Sequence, residues 1–252
     1  MPLILCLETA TRICSVCLSR DGELLVIKES ETPNIHSSKL TVFIDEVMKE
    51  SGHSLADLDA VAVSTGPGSY TGLRIGVAAA KGLCHALDKP LIAVSTLQAM
   101  AAGMLDTGCW MRDTGCWILD AGCRMPDPAS SIQYLICPMI DARRMEVYCG
   151  LYDQENREVR EVRAEIIDEN SFDEFLEKHP VVFAGDGAEK CRPVLGEHPH
   201  AVFVENFNAS GKYMIPLAMQ KFNLQSFENL AYFEPFYLKD FVAGKPKIKG
   251  LY

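Results

Sequence analysis

Residues 64–83 read Ser-Thr-Gly-Pro-Gly-Ser-Tyr-Thr-Gly-Leu-Arg-Ile-Gly-Val-Ala-Ala-Ala-Lys-Gly-Leu, and no other stretch limits the fold as much. Ala60 to Ser64, just before the break, has the small and β-branched apolar residues of a buried strand. The strand breaks at Gly66-Pro67-Gly68, where glycine allows backbone angles that other residues avoid. From Thr71 the pattern is helical as far as Leu87, with Ser69 or Thr71 placed to cap the free N–H groups. A row of small residues, Gly72, Gly76, Ala79, Ala80 and Gly82, lets another backbone come close. Leu73, Ile75, Val77, Leu83 and Leu87 spread apolar surface around the same helix. A helix apolar on most sides needs cover on most sides. One side suits the parent sheet, and the other suits a second helix from this chain or from a partner.

The rest of the chain supports a large α/β protein. Its 252 residues are 48% hydrophobic, enough for a real core. The formal net charge of −10 argues against a dedicated nucleic-acid binder, which needs a basic face. Lys239, Lys245, Lys247 and Lys249 nevertheless make the C-terminal end locally basic. No apolar run approaches the roughly 20 residues that span a bilayer, and Met1 to Leu7 lacks the basic start of a secretory signal. A cytoplasmic protein is expected. Ten cysteines are present. Cys6, Cys14, Cys17, Cys84, Cys137 and Cys149 fall in apolar segments and read as reduced core residues. Cys14 and Cys17 lie in an alternating strand pattern, which points them to opposite faces and argues against redox or zinc roles.

Leu3–Leu7 reads as a strand. Cys14–Ser19 and Leu24–Lys28 flank the hairpin signal Asp21-Gly22. A helix over 35–50 follows, with Leu40, Phe43, Ile44, Val47 and Met48 on one stripe and Gly52 beyond its end. The strand at 60–64, the small-residue helix at 71–87 and a strand at 91–94 complete a β-β-β-α-β-α-β order, which predicts a mixed sheet with packed helices. Residues 106–126 are three copies of a seven-residue repeat, Asp-(Thr/Ala)-Gly-Cys-(Trp/Arg)-(Met/Ile)-(Arg/Leu/Pro). Glycine in each copy opposes a coiled coil, and the spacing of Cys109, Cys116 and Cys123 is not that of a zinc site. The repeat reads as an expanded, dispensable loop over 104–130, with Trp110 and Trp117 its candidate contact residues. The expected organisation is a first lobe over 1–103, the inserted loop, and a second lobe over 131–252. In the second lobe, strands are expected at 133–139, 147–152 and 181–184, and helices at 171–178 and 210–222.

Chemistry is sparse. There is no Gly-x-Ser-x-Gly elbow, no Walker A loop and no histidine metal motif. Three turns could aim N–H and hydroxyl groups at a phosphate. These are Glu8-Thr9-Ala10-Thr11, Gly66 to Thr71 (with Gly68 and Ser69) at a helix start, and Gly185-Asp186-Gly187. Tight turns that simply join strands to helices fit the same residues.

Leu5 to Thr11, His36 to Leu40, Thr65 to Gly76, Ala80 to Leu83, Pro90 to Leu97 and Ile140 to Arg144 together resemble the TsaB (YeaZ) family. A fainter echo lies in Pro235 to Lys239. The likeness is collinear over 1–103 and 131–150, and Gly-Pro-Gly-Ser-Tyr-Thr-Gly-Leu-Arg-Ile-Gly is its most specific string. The resemblance implies an α/β, actin-like (ASKHA, ribonuclease H-like) fold of two lobes. It implies a part in making threonylcarbamoyladenosine beside the tRNA anticodon, with catalysis in a TsaD-like paralogue and a TsaE-like ATPase completing the complex. The TsaB-like subunit then carries no catalytic residue, metal or cofactor of its own, ATP and metal belong to the partners, and tRNA arrives through the complex. The catalytic paralogue has a His-x-x-x-His motif where this chain has Thr96 and Met100. A hydroxyl and a thioether do not replace two imidazoles on such a metal. Glu8 also stands where the family commonly has Asp.

The resulting expectation is a non-catalytic subunit. Its partner face would use Leu40, Phe43, Val47, Gly72, Ile75, Gly76, Ala79, Gly82 and Leu83, and it would pair with a second copy when the paralogue is absent. Glu8, Thr9, Thr11, Gly66, Gly68, Ser69, Gly185 and Gly187 would be a vestige of a phosphate site. The competing expectations are an autonomous ATP-dependent phosphotransferase of the same fold and a stand-alone homodimeric binding module.

Overall fold

In the computed structural model, residues 1–31, 36–107 and 133–239 are described, together with two dipeptide strands inside the repeat. The first sheet begins with β1 (Leu3–Glu8), β2 (Cys14–Arg20) and β3 (Glu23–Ser30). Asp21 and Gly22 both have positive φ, 55° and 88°, the backbone of a tight two-residue hairpin turn that twists with its strands. α1 (His36–Ser51) leads to β4 (Ala60–Ser64), α2 (Tyr70–Leu87) and β5 (Leu91–Val94). The strand order is β3-β2-β1-β4-β5, antiparallel across the hairpins and parallel across the helix crossovers.

α3 (Thr96–Thr107) follows directly, so the insert begins later than the sequence pattern suggests. Within the repeat, β6 (Trp117–Ile118) and β7 (Arg124–Met125) form a short antiparallel ladder. Trp110, Cys109, Cys116 and Cys123 lie outside the described residues, as do Lys245, Lys247 and Lys249. β8 (Leu135–Asp141), β9 (Glu146–Tyr152), β10 (Glu158–Ile166), α4 (Asp173–Leu176), β11 (Val181–Ala184), α5 (Arg192–Leu195) and β12 (Ala201–Val204) build a second sheet of order β10-β9-β8-β11-β12. The pattern of the first sheet is thus repeated strand for strand. A single 3-10 turn, Gly211–Met214, runs into α6 (Ile215–Asn223), whose Pro216 sits in its first turn, where an N–H is not needed.

Each sheet buries both faces. On the outer face of the first, Leu3, Leu5, Leu7, Val61 and Val63 pack beneath α1 and α2. Fully burying a Leu or Val contributes about 1.5–3 kcal/mol, so Leu40 and Val47, at 1% and 0% exposed, tie α1 firmly to its own sheet. On the inner face, Ile4, Cys6, Cys17, Ala62, Ile92 and Val94 pack against Met214, Ile215 and Ala218. Cys14 belongs to the outer cluster and Cys17 to the inner one, as the alternation requires. Cys6, Cys14, Cys17, Cys84, Cys137 and Cys149 are all buried free thiols.

The inner helices trade places. α3, which the sequence pattern assigns to the first lobe, buries Leu97, Met100, Ala101 and Met104 against Ile136, Ile140, Val182 and Ala184 of the second sheet. α6, from the far end of the chain, covers the first sheet instead. α3 meets the 3-10 turn that leads into α6 where Gly103 lies against the Tyr213 ring; a Cβ there would come within 2.4 Å of it. Beyond α6 the chain stays with the first lobe. Glu228 N donates to Leu91 O, Lys81 Nζ donates to Ala231 O and Phe233 O, and Phe236 N donates to Thr65 O. A lobe boundary drawn at residue 103 therefore cuts through packed elements of both cores.

Candidate functional site

The three candidate turns, two of them glycine-bearing, lie at the C-terminal ends of β1, β4 and β11, where open parallel sheets commonly bind ligands. Several of their N–H groups are engaged within the protein. Ser69 N donates to Ala10 O at 2.6 Å, and Gly72 N donates to Ser69 Oγ at 3.2 Å, so the start of α2 is capped by its own serine. Gly66 N donates to Thr96 Oγ1, Ala10 N to Glu8 Oε1 and Gly187 N to Met139 O. Thr11 Oγ1 accepts from Ile13 N within the same turn.

The glycines are close-approach points. A Cβ at Gly68 would lie 2.3 Å from Ala10 O, at Gly72 2.0 Å from Thr9 O, at Gly76 2.2 Å from Thr9 Oγ1, and at Gly185 2.2 Å from Met139 O. Thr9 completes the joint by donating from Oγ1 to Gly72 O at 2.8 Å. Glu8, Thr9, Thr11, Gly66, Gly68, Ser69, Gly185 and Gly187 act here as joints between elements.

Glu8 is fully buried, and that burial pushes its carboxyl up from its usual 4.5 to about 7, against the opposing hydrogen bonds from Ala10, Ser64 and Thr9. Below pH 4.5 the group is neutral in both folded and unfolded chains. As pH rises toward 7 the unfolded chain gives up its proton first, so stability falls through this window, by about 3 kcal/mol in full. Glu8→Gln keeps an oxygen for Ala10 N and removes the ionisation. The variant is expected to match the wild type near pH 4 and exceed it by a few kcal/mol near pH 8, measured by urea unfolding at the two pH values. An equal difference at both would show that Glu8 does not titrate in this window.

The outer helices present a different surface. α1 and α2 lie side by side on the first sheet. Leu40, Phe43 and Val47 face that sheet, and Gly72 and Gly76 face Thr9. These five residues, expected at a partner face, are instead spent inside the lobe. Ile75, Ala79 and Leu83 are half-buried at its edge, and Gly82 is exposed with nothing within 4 Å of a Cβ. The exposed line Ala78, Gly82, Ala86 runs at a spacing of four along α2, flanked by Thr71, Arg74 and His85. So small and uncharged a line is unusual on a water-facing helix. The Ala80–Leu83 string contains Gly82, but only the burial pattern separates its face from that of Gly76.

One contact crosses between lobes at the turns. Arg12 Nε stands 3.8 Å from Asp186 Oδ2, and Asp186 Oδ1 accepts from Asp141 N. Burial raises the Asp186 carboxyl, while its bond from Asp141 N opposes the shift. Nothing in the sequence spacing signals this pairing. Among the described residues no group of three His, Cys, Asp or Glu side chains could hold a metal ion, and no helix is long and apolar enough to cross a membrane.

Two mixed five-stranded sheets with one repeated strand order, and helices on every face, define the two-lobed actin-like (ASKHA) fold. YeaZ from Pseudomonas aeruginosa superposes with a TM-score of 0.74 over 94% of this chain and all of that one, at 24% identity. The tRNA threonylcarbamoyladenosine biosynthesis protein TsaB of Escherichia coli is 30% identical over 98% of both chains. The Haemophilus influenzae protein of the same name is 42% identical over 39% of this chain and 41% of its own. A family model described as TsaD, tRNA N6-adenosine threonylcarbamoyltransferase, matches residues 30–125. The chain belongs to the TsaB (YeaZ) family.

Proposed function

We propose that this chain is the non-catalytic subunit of a tRNA threonylcarbamoyladenosine-forming complex in the cytoplasm. It pairs with a TsaD-like catalytic paralogue, and a TsaE-like ATPase completes the assembly. ATP and metal are held by those partners, and the chain pairs with itself when the paralogue is absent. The observation that carries this reading is the fate of the two positions where the paralogue has histidines. Thr96 is fully buried, and its hydroxyl accepts the Gly66 N–H at 3.1 Å. Met100 is buried in the second core, and a Cβ at Gly185 would lie 2.8 Å from its methyl carbon. Both side chains serve the packing, and the Gly66 N–H is bonded to one of them. The small, uncharged line on α2 supports pairing through the first lobe, because small residues let two helices approach closely and exclude water between them.

The test is reconstitution. The purified chain alone should modify no tRNA and turn over no ATP, while its addition to the paralogue and ATPase from the same host should restore threonylcarbamoyladenosine formation. Steady ATP turnover by the chain alone, abolished by changing Thr9, would instead make it an autonomous phosphotransferase. A complex equally active without the chain would sink the subunit assignment.

A further inference from the structure

The β8–β9 turn, Asp141 to Glu146, carries the motif Asp-Ala-Arg-Arg, which neither the core nor the helix face explains. Much of its backbone is tied. Ala142 N donates to Glu146 O, Glu146 N to Arg143 O, and Arg143 N to Asp141 Oδ1. Two lysines from distant parts of the chain brace it. Lys190 Nζ bonds both Asp141 Oδ1 and Glu146 O, and Lys239 Nζ bonds Glu146 Oε2 while lying 5.6 Å from the Tyr148 ring centre. Arg143 and Arg144 both take left-handed backbone, φ 72° and 52°, and both are exposed.

The local charge balance is the informative part. Asp141 is taken by Lys190, Glu146 by Lys239, and Asp186 by Arg12 and the Asp141 N–H. Arg143 and Arg144 have no ion pair or hydrogen bond from their side chains among the described residues. The Asp141, Glu146 and Asp186 carboxylates are engaged elsewhere, so the two exposed guanidinium groups stand without an ion pair on a chain whose net charge is −10. The sequence after Lys239 adds Lys245, Lys247 and Lys249.

We propose that the Arg143–Arg144 turn is a phosphodiester-binding point that holds the tRNA backbone on the complex. Arginine suits this role because its planar fork bonds a phosphate through two N–H groups. A turn already braced by Lys190 and Lys239 presents both forks with little further ordering cost. RNA is favoured over an acidic peptide because successive backbone phosphates offer regularly spaced charges that two adjacent guanidinium groups can each meet. The assignment of tRNA rests on the function proposed above.

Binding and turnover together test it. Fluorescence anisotropy of an unmodified tRNA that reads codons starting with A would be measured on the reconstituted complex across a salt series, alongside KM and kcat for modification. Arg143→Ala/Arg144→Ala is expected to weaken tRNA binding and raise KM about tenfold at 0.1 M salt, with kcat at saturating tRNA within about twofold. The slope of log affinity against log salt should shrink by about 1–2, at roughly 0.7–0.9 for each phosphate no longer neutralised. The double lysine variant should recover much of the loss. Arg163→Ala/Lys178→Ala removes the same charge from elsewhere on the second lobe and should change KM by less than about twofold. An alanine pair with unchanged affinity and salt slope overturns the proposal, as does one that releases a protein subunit while tRNA affinity stays the same. A wild-type complex that modifies nothing would count against the subunit reading, and the anisotropy series would still decide this one.

Discussion

Gly72→Val should strongly destabilise the chain, and Gly76→Val should be nearly as severe. The Cβ at Gly72 would fall 2.0 Å from the Thr9 carbonyl oxygen, a backbone atom, and that at Gly76 2.2 Å from the Thr9 hydroxyl. Neither neighbour can yield cheaply. Thr9 is fully buried at the end of the central strand β1, and its hydroxyl is bonded to Gly72 O. Separating α2 from this turn would also break the Ser69–Ala10 bond. A loss of about 3 kcal/mol or more is expected, a large part of the total stability of a typical domain. Gly82→Ala is the contrasting case. Nothing lies within 4 Å of its Cβ, so the gain in helix propensity, about 0.5–1 kcal/mol, should appear undiminished. Urea midpoints of the three variants measure the ordering. A Gly72→Val protein with an unchanged midpoint would mean that α2 does not rest on Thr9.

Ala78→Arg, alone or with Gly82→Arg, is expected to leave the chain folded and to weaken pairing with the catalytic paralogue at least about 100-fold. Both positions face water in the single chain, so long charged side chains cost little there. Across a close helix seam the same side chains would hold the helices apart and strip water from unpaired charge. Gly76→Arg, a natural choice from sequence, is not a clean test, because it would damage the fold before the interface. The measurement is calorimetric or surface-based affinity for the paralogue, with unfolding midpoints in parallel. Stable variants that pair as tightly as the wild type would move the seam away from the outer face of α2.

How far the sequence discloses these features depends on burial. The order through β5 is readable because hairpin turns, one-sided stripes and glycine breaks mark each element. α3 escapes because Leu97, Ala99, Met100, Ala101 and Met104 surround a helix wedged between two cores, and periodicity vanishes when every side is covered. β10 escapes for the opposite reason. It is an edge strand full of charge, and its Arg160 is half-buried, 4.3 Å over the Phe172 ring and bonded to Glu165 and Cys149. The glycine stripe announces that something approaches α2, but not that it is a turn 63 residues earlier in the chain. Leu40, Phe43 and Val47 show the same limit. Their stripe marks a buried face, and only the packing reveals that their own sheet buries it.

The exchange of inner helices bears on how such a chain can be born on a ribosome. When Val94 emerges, the five strands of the first sheet exist, yet the surface formed by Ile4, Cys6, Cys17, Ala62 and Ile92 has no cover. Its cover, Met214 to Ala218, is made about 120 residues later, on the order of ten seconds at ordinary translation speeds. Throughout that interval the nascent lobe shows a greasy sheet face, and only the last third of the message encodes what closes it. A messenger truncated before α6 would therefore yield a sticky half-product rather than a smaller stable protein, and such a chain has reason to depend on whatever shields hydrophobic surface during synthesis.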